Sequence, residues 1–249
     1  MNGAFVIDKP AGNSSFDVLR GLKKRFLEKK MGYLGTLDPL ATGVLVVFVG
    51  QATKLIPYFS EADKEYVAEL EFGKTSDTFD RTGHVERRTD AAPPTEEKLK
   101  EALPHFLGQQ WQIQPPFSAI HFKGQRAYEL ARAGETFDLG KRQVIISDLQ
   151  LIGYEPPKAT LRVICSSGTY IRSLIHELGE QLECGAIMTE LRRTRVGNVV
   201  IEEAHSLEEI SENNLLSPEK IISEYIDWKH RSQQEKSFLL KKFSDPNKK

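Results

Sequence analysis

Six consecutive apolar residues, Val44 to Val49, run without a polar interruption and stop at Gly50. Four of the six are valine, and β-branched side chains suit a pleated surface, so the run predicts a buried strand. The segment leading into it is Gly32-Tyr33-Leu34-Gly35-Thr36-Leu37-Asp38-Pro39-Leu40-Ala41-Thr42-Gly43, with three glycines, two threonines, one proline and a single carboxylate. The ring of Pro39 crowds the backbone of Asp38 and pushes it toward extended geometry. Gly35 and Gly43 permit tight or left-handed turns on either side. The pattern predicts one acid presented on a stiff loop at the mouth of a buried strand.

The remaining chain supplies short elements of both kinds. Ala4 to Ile7 reads as a strand, and Ser14 or Ser15 caps a helix over Phe16 to Lys29 with Val18, Leu19, Leu22 and Phe26 on one face. A helix over Ala52 to Ser60, limited by Pro57, precedes an alternating strand from Lys64 to Phe72 that turns Tyr66, Ala68, Leu70 and Phe72 to one side. Thr75 to Gly83 is a polar turn, and Thr95 caps a helix to about Leu107. From Gln114 to Gly140 aromatic and basic residues mix, with a short helix over Ala127 to Ala133. Val144 to Ile152 and Ala159 to Cys165 read as paired strands, Ser166 to Thr169 as the cap of a helix, and Val196 to Ile201 as another strand. Arg172, in that helix's first turn, opposes the helix dipole and calls for a carboxylate partner.

Charge distribution says more than its sum. The formal net charge is −1, but seven glutamates against one lysine between Glu202 and Glu224 leave +5 on the rest. Cations cluster at Arg20 to Lys30, at Lys141-Arg142 and at Arg192-Arg193-Thr194-Arg195, a distribution compatible with an RNA partner. Two cysteines, Cys165 and Cys184, form neither a C-x-x-C pair nor a disulfide framework. There is no signal-peptide pattern and no apolar run long enough to span a bilayer, so a cytoplasmic protein without membrane partners is expected. Gly134 to Lys141 has the wrong glycine spacing for a phosphate loop, and His176-Glu177 lacks the second histidine of a zinc protease. No metal set is expected from six scattered histidines.

Five islands, in order over about residues 3–205, resemble the TruB family of bacterial tRNA pseudouridine 55 synthases. They are Asp8-Lys9-Pro10-Ala11-Gly12-Asn13-Ser14-Ser15, Gly35 to Gly43, Lys64-Glu65-Tyr66, Ser167-Gly168-Thr169-Tyr170-Ile171-Arg172 and Leu191-Arg192-Arg193. The resemblance implies an α+β pseudouridine-synthase fold, a central mixed or antiparallel sheet flanked by helices, with an RNA-gripping thumb at about 114–140. It implies isomerisation of a flipped-out uridine in the T loop of tRNA, without metal or organic cofactor. Asp38 is then the nucleophile, attacking C6 of the base or C1′ of the ribose. Tyr66 stacks on the base and assists proton transfer, and Arg172 pairs with Asp38, because a fixed cation favours an ionised carboxylate. Lys9, Tyr33, Asp80, Tyr170 and Leu191 are the implied substrate-binding set, with Lys9 bracing the loop. Lys123, Arg126, Arg132, Arg192 and Arg193 are the implied RNA contacts.

Two departures bear on this reading. Tyr33 stands where the family usually has histidine, keeping an aromatic face but losing imidazole titration. The expected division is a catalytic domain over 1–205 and a short acidic helical extension over 206–249, too small for the PUA domain many members carry. A monomer without an obligatory protein partner is expected. A tRNA chaperone without chemistry would use the same surface, and a guide-RNA-dependent rRNA synthase would share the loop. Asp38, Tyr66 and Arg172 together favour catalysis, and the thumb-like insertion favours a stand-alone enzyme.

Overall fold

The apolar run is a strand, Thr42–Val49, buried from Gly43 onward. Its even and odd residues enter two different cores, which explains why no polar residue alternates along it. In the computed structural model the structure describes residues 1–88, 92–118, 120–122, 124–135 and 137–225, and of residues 121, 126, 132 and 225 the backbone alone. In chain order the strands are β1 (Gly3–Lys9), β2 (Met31–Tyr33), β3 (Thr42–Val49), β4 (Lys64–Phe72), β5 (Lys74–Ser76), β6 (Val85–Arg87), β7 (Gly108–Ile113), β8 (His121–Phe122), β9 (Gln125–Arg126), β10 (Lys141–Glu155), β11 (Lys158–Cys165), β12 (Ala186–Val196) and β13 (Val199–Val200). The helices are α1 (Ser15–Arg25), α2 (Ile56–Phe59), α3 (Glu96–Ala102), α4 (Ala127–Arg132), α5 (Ile171–Gln181) and α6 (Pro218–Lys220). The class is α+β, with antiparallel pairing predominant and β12 parallel to β3.

Two compact units divide the chain, one holding Met1–Tyr66 with the described residues from Arg192 on, the other Val67–Leu191. In the first unit β1 pairs antiparallel with β3 from Gly3↔Val49 to Lys9↔Gly43. Strand β3 also pairs with β2 and, at Arg192↔Thr42 and Arg193↔Gly43, with β12. One face of β1 and β3 contributes Phe5, Ile7, Leu45, Val47 and Val49 to a core closed by Val18, Leu19 and Leu22 of α1. The other contributes Val6, Val44, Val46 and Phe48, against Ala52, Leu55, Phe59 and Ile222. At about 1.5–3 kcal/mol per fully buried aliphatic or aromatic side chain, this two-sided burial holds the strand that carries the Asp38 loop.

In the second unit β10 is the long central strand, antiparallel to β11 on one side and β7 on the other. Helix α5 buries Ile171, Leu174, Ile175 and Leu178 at helical spacing. A small hairpin, β8 with β9, leads directly into α4. Both cysteines are buried, and neither is in a disulfide.

Where local pattern and structure differ, a specific conformation intervenes. Helix α1 is capped by Ser14 as expected but ends at Arg25 rather than Lys29, because Leu27 takes a left-handed φ of 51°. The expected helix over Ala52 to Ser60 is a 3₁₀ segment, Gly50–Leu55, followed by one turn of α2 with Pro57 near its start. Thr95 caps α3, which passes into a 3₁₀ turn at Pro104 instead of continuing to Leu107. Ser166 to Thr169 do not cap α5; Tyr170 is its N-cap residue and uses no side-chain cap. Val196 to Ile201 is not one strand but the end of β12, a turn through Gly197 (φ 57°) and β13. Strand β12 has no signature in local pattern, because its basic end carries neither a continuous apolar run nor a clean alternation. The described part of the acidic stretch after Glu202 holds short helical segments, Ile201–Glu203, Glu212–Asn214 and α6 running into Ile221–Tyr225. The charged tail from 241 to 249 lies outside the described residues.

Candidate active site

The first unit builds the Asp38 loop from three anchors. Ser15, buried at the start of α1, accepts the Leu37 N–H at 2.8 Å and donates to the Leu37 carbonyl at 3.1 Å. Behind the carboxylate, the Ala41 N–H closes a turn onto the Asp38 carbonyl at 3.0 Å, and the Gly12 N–H donates to Pro39 O at 2.8 Å. Lys9, fully buried, donates Nζ to the carbonyls of Asn13 at 2.6 Å and Pro10 at 2.8 Å, with Pro39 O at 3.5 Å. Burial lowers the Lys9 pKa to about 8, with the Asp38 charge pulling it up and the Arg193 cation pushing it further down. The motif around Lys9 is thereby tied to the loop around Asp38, as the bracing role requires.

Arg193 departs from its expected place among the RNA contacts. It is only 1% exposed, and a buried cation cannot meet a phosphate in solvent. Its Nε donates to Val44 O at 2.8 Å and Nη2 to Gly35 O at 3.0 Å, with Leu34 O at 3.5 Å. Gly43, at φ 100°, lets this strand approach: a Cβ there would stand within 2.2 Å of the Arg193 carbonyl oxygen. Arg193 therefore belongs to the frame of the loop. Its neighbour Arg192 points the other way, part exposed and held bidentately by Asp8 at 2.7 and 3.1 Å, with Thr42 Oγ1 at 3.3 Å. Tyr33 is half-buried at the end of β2, and Tyr66 is buried at the start of β4 as the alternation predicts.

The second unit presents a buried arginine. Arg172, 4% exposed in the first turn of α5, donates Nη1 to Thr78 O at 2.8 Å and Nη2 to Phe117 O at 3.0 Å. Its Nε lies 3.7 Å from Asp80 Oδ2, a carboxylate of the same unit. Asp80 is equally buried; its Oδ1 accepts from Thr78 Oγ1 at 2.8 Å, Thr82 N–H at 2.8 Å and Thr82 Oγ1 at 2.5 Å. Between them Phe79 adopts φ 63° and stacks on His176, centroids 4.0 Å apart and planes within 7°. Burial lowers the His176 pKa, against an opposing pull from Glu180. A left-handed phenylalanine is strained, and the stack on one side with the Asp80 turn on the other over-determines it.

Gln112 was missed by sequence reading and performs the capping expected of Ser166 to Thr169. Its Oε1 accepts the Tyr170 N–H at 2.8 Å and its Nε2 donates to the Tyr170 carbonyl at 2.9 Å, fixing the start of α5 from β7. The signal available was its place on the buried face of an alternating strand. Leu191 is buried near the end of this unit. Of the expected thumb contacts, Lys123 lies outside the described residues, Arg126 closes the β8–β9 hairpin and Arg132 ends α4. Phe122 stacks on Phe137 at 5.5 Å, so the hairpin and the segment after α4 share an aromatic contact.

Comparison with known proteins agrees with these motifs. The model of the TruB family pseudouridylate synthase N-terminal domain matches residues 23–171, and that of the tRNA pseudouridylate synthase B C-terminal domain matches residues 172–228. Similar proteins include tRNA pseudouridine synthase B of Clostridium tetani, 42% identical over 90% of this chain and 79% of that protein. The Pasteurella multocida protein of the same name is 45% identical over 81% of this chain and 66% of its own length. Among solved structures, a Cbf5-Nop10-Gar1 complex is similar at TM-score 0.64 and 32% identity, covering 83% of this chain and 53% of that one. An H/ACA RNP bound to a substrate RNA containing 2′-deoxyuridine follows at TM-score 0.63 and 29% identity, over 83% and 51%. The chain thus spans about half the length of these solved chains. With the two family models together matching residues 23–228, the chain belongs to the TruB family of pseudouridylate synthases.

Proposed function

We propose that the chain converts uridine to pseudouridine at position 55 in the T loop of tRNA, with Asp38 as the nucleophile. The observation that carries the reading is the anchoring of the Asp38 loop. Leu37 is held by Ser15, the Pro39 carbonyl by the Gly12 N–H, and Gly35 and Val44 on either side by Arg193, so the one carboxylate of the loop is presented by a rigid frame. Preorganisation of this kind is what covalent catalysis requires of a nucleophile.

In the reaction the N1–C1′ bond breaks and a C5–C1′ bond forms, the C5 proton leaves, and N1 gains a proton. No electrons are exchanged with a second substrate. Tyr66 stacks on the base and assists removal of the C5 proton, and Arg172 supplies the positive charge that complements Asp38. The support for Arg172 is its rigidity: two carbonyls and a carboxylate hold its guanidinium before any substrate arrives. Tyr33, Tyr170 and Leu191 are the proposed contacts to the flipped nucleotide, and Asp80 shapes its turn. Arg126, Arg132 and Lys123 grip the RNA from the thumb, joined by Arg192 once it shares its charge between Asp8 and a phosphate.

The test uses tRNA carrying 5-tritiated uridine. Asp38→Asn is expected to bind this tRNA and release no tritium, and release at the wild-type rate would refute the nucleophile. Arg172→Lys is expected to lose most turnover, because a point charge does not reproduce a planar fork on two carbonyls. A guide-RNA-dependent alternative predicts no turnover by the purified chain alone, and activity on naked tRNA separates the two.

A further inference from the structure

The basic pair Lys141-Arg142 has no place in the chemistry above. Arg142 pairs with Gln112 across β10 and β7, and cross-strand partners share a sheet face. From that face Gln112 holds the Tyr170 backbone, and Arg142 reaches the loop just before it. A Cβ on Gly168 would stand 2.5 Å from Arg142 Cζ and 2.6 and 2.8 Å from its two terminal nitrogens. Only glycine leaves room for the guanidinium to lie there, and Gly168 at φ 83° also takes the backbone geometry the turn needs.

The loop under this cation has open donors. Ser166 N–H donates to Ile145 O at 2.8 Å, and Thr169 N–H closes the turn onto Ser166 O at 3.4 Å. The N–H groups of Ser167 and Gly168, between them, make no hydrogen bond among the described residues. The exposed Arg142 guanidinium likewise has no hydrogen bond or ion pair among the described residues. Three other arginines of this unit are engaged: Arg88 with Glu180, Arg162 with Asp148 and Arg172 with Asp80. Lys141 lies near enough to Glu177 to oppose the burial that raises that carboxyl's pKa.

We propose that Arg142, with the Ser167 and Gly168 N–H groups, binds one backbone phosphate of the substrate RNA. A planar fork with several donors matches a phosphate bidentately, and successive N–H groups in a turn form a natural anion seat. The loop runs within two residues into Tyr170, so a phosphate seated there registers the RNA on the unit that carries Arg172. The inference rests on the functional reading above for the identity of the RNA, not for the site's chemistry.

The test compares the wild type with Arg142→Gln and Arg142→Lys on a synthetic T-arm hairpin. Arg142→Gln is expected to raise Kd about tenfold near physiological salt, the loss of one charge-assisted contact. Its plot of log Kd against log salt should be shallower by about one unit, and Arg142→Lys should restore the slope but not the affinity. In turnover the loss falls on KM. A scan of single methylphosphonate substitutions should find one position that weakens the wild type and leaves Arg142→Gln unaffected. Equal salt slopes in wild type and Arg142→Gln, or a scan that weakens both proteins alike at every position, overturns the proposal. A change confined to competition by inorganic phosphate marks a small-anion site and overturns it too. A wild type that binds the hairpin without converting its uridine refutes the functional reading, while the salt slopes still decide the phosphate site.

Discussion

Arg192 and Arg193 are adjacent, carry the same charge and should respond oppositely to neutralisation. Replacing Arg193 with methionine keeps most of the volume and removes the fork. Two well-made bonds are lost, to Val44 O at 2.8 Å and Gly35 O at 3.0 Å, and the Leu34 contact at 3.5 Å contributes little. Hydrogen bonds from a charged donor contribute about 1.5–3 kcal/mol each; the abandoned Val44 carbonyl is buried, whereas Gly35 is exposed and its carbonyl can turn to water. Relief from desolvating the cation offsets part of this. The net expectation is a loss of about 2–4 kcal/mol, a large share of the roughly 5–15 kcal/mol available to a domain. Arg192→Gln removes a part-exposed pair with Asp8, for which about 0.2–1 kcal/mol is usual. Urea unfolding of both variants measures the contrast. Turnover on tRNA should fall more steeply for Arg193→Met, because the released carbonyls include the backbone of the Asp38 loop. Equal midpoints for the two variants, or an Arg193→Met enzyme with wild-type stability, would refute the assignment of Arg193 to the frame.

Lys9 has a pKa lowered to about 8 against about 10.4 in an unfolded chain, so the unfolded state binds more protons between these values. Stability attributable to Lys9 therefore rises with pH from about 8 to about 10.4; the difference in unfolding free energy between wild type and Lys9→Met, followed across that window, should show it, and a flat difference would contradict it. His176 is lowered by burial, so the neutral ring is favoured in the fold, stability is fully present above the unfolded value near 6.5, and it declines as pH falls below that toward the lowered pKa. His176→Phe keeps an aromatic partner for Phe79 and should abolish this acid-side decline, which unfolding curves between pH 5 and 7 would reveal; an unchanged decline places the titration on another group. Gln112→Leu strips both hydrogen bonds from Tyr170 and should lower stability by about 1–3 kcal/mol in urea unfolding. Gln112→Glu, which keeps the acceptor, should recover part of it, and no recovery would argue against the capping role.

Local pattern alone identified the elements whose burial is written in consecutive residues. The run at Val44–Val49 is apolar because both faces of β3 are covered, and Lys64–Phe72 alternates because its two faces differ. Ser14 caps α1 and Thr95 caps α3 because a capping side chain reaches only three residues along its own chain. The Asp38 loop was legible from its composition, while the motifs around Lys9, Tyr66 and Arg172 were legible through their resemblance to the family, as islands in the family's order.

Tertiary structure decided everything that depends on who meets whom. The four basic and polar residues from Arg192 to Arg195 read as a basic cluster suited to RNA, yet they lie at the end of a strand, and one of them is buried. Nothing near Arg193 in sequence announces its acceptors, which lie at Gly35 and Val44, about 150 residues earlier. A buried guanidinium is tolerated only where carbonyls are already arranged to receive it, and that arrangement exists only after β3 and β12 have paired. The same holds for Gln112, an unremarkable amide until α5 places Tyr170 against it. Sequence determined that one carboxylate would stand on a stiff loop; the fold determined which distant cations hold that loop, because desolvation and hydrogen bonding are set by neighbours in space.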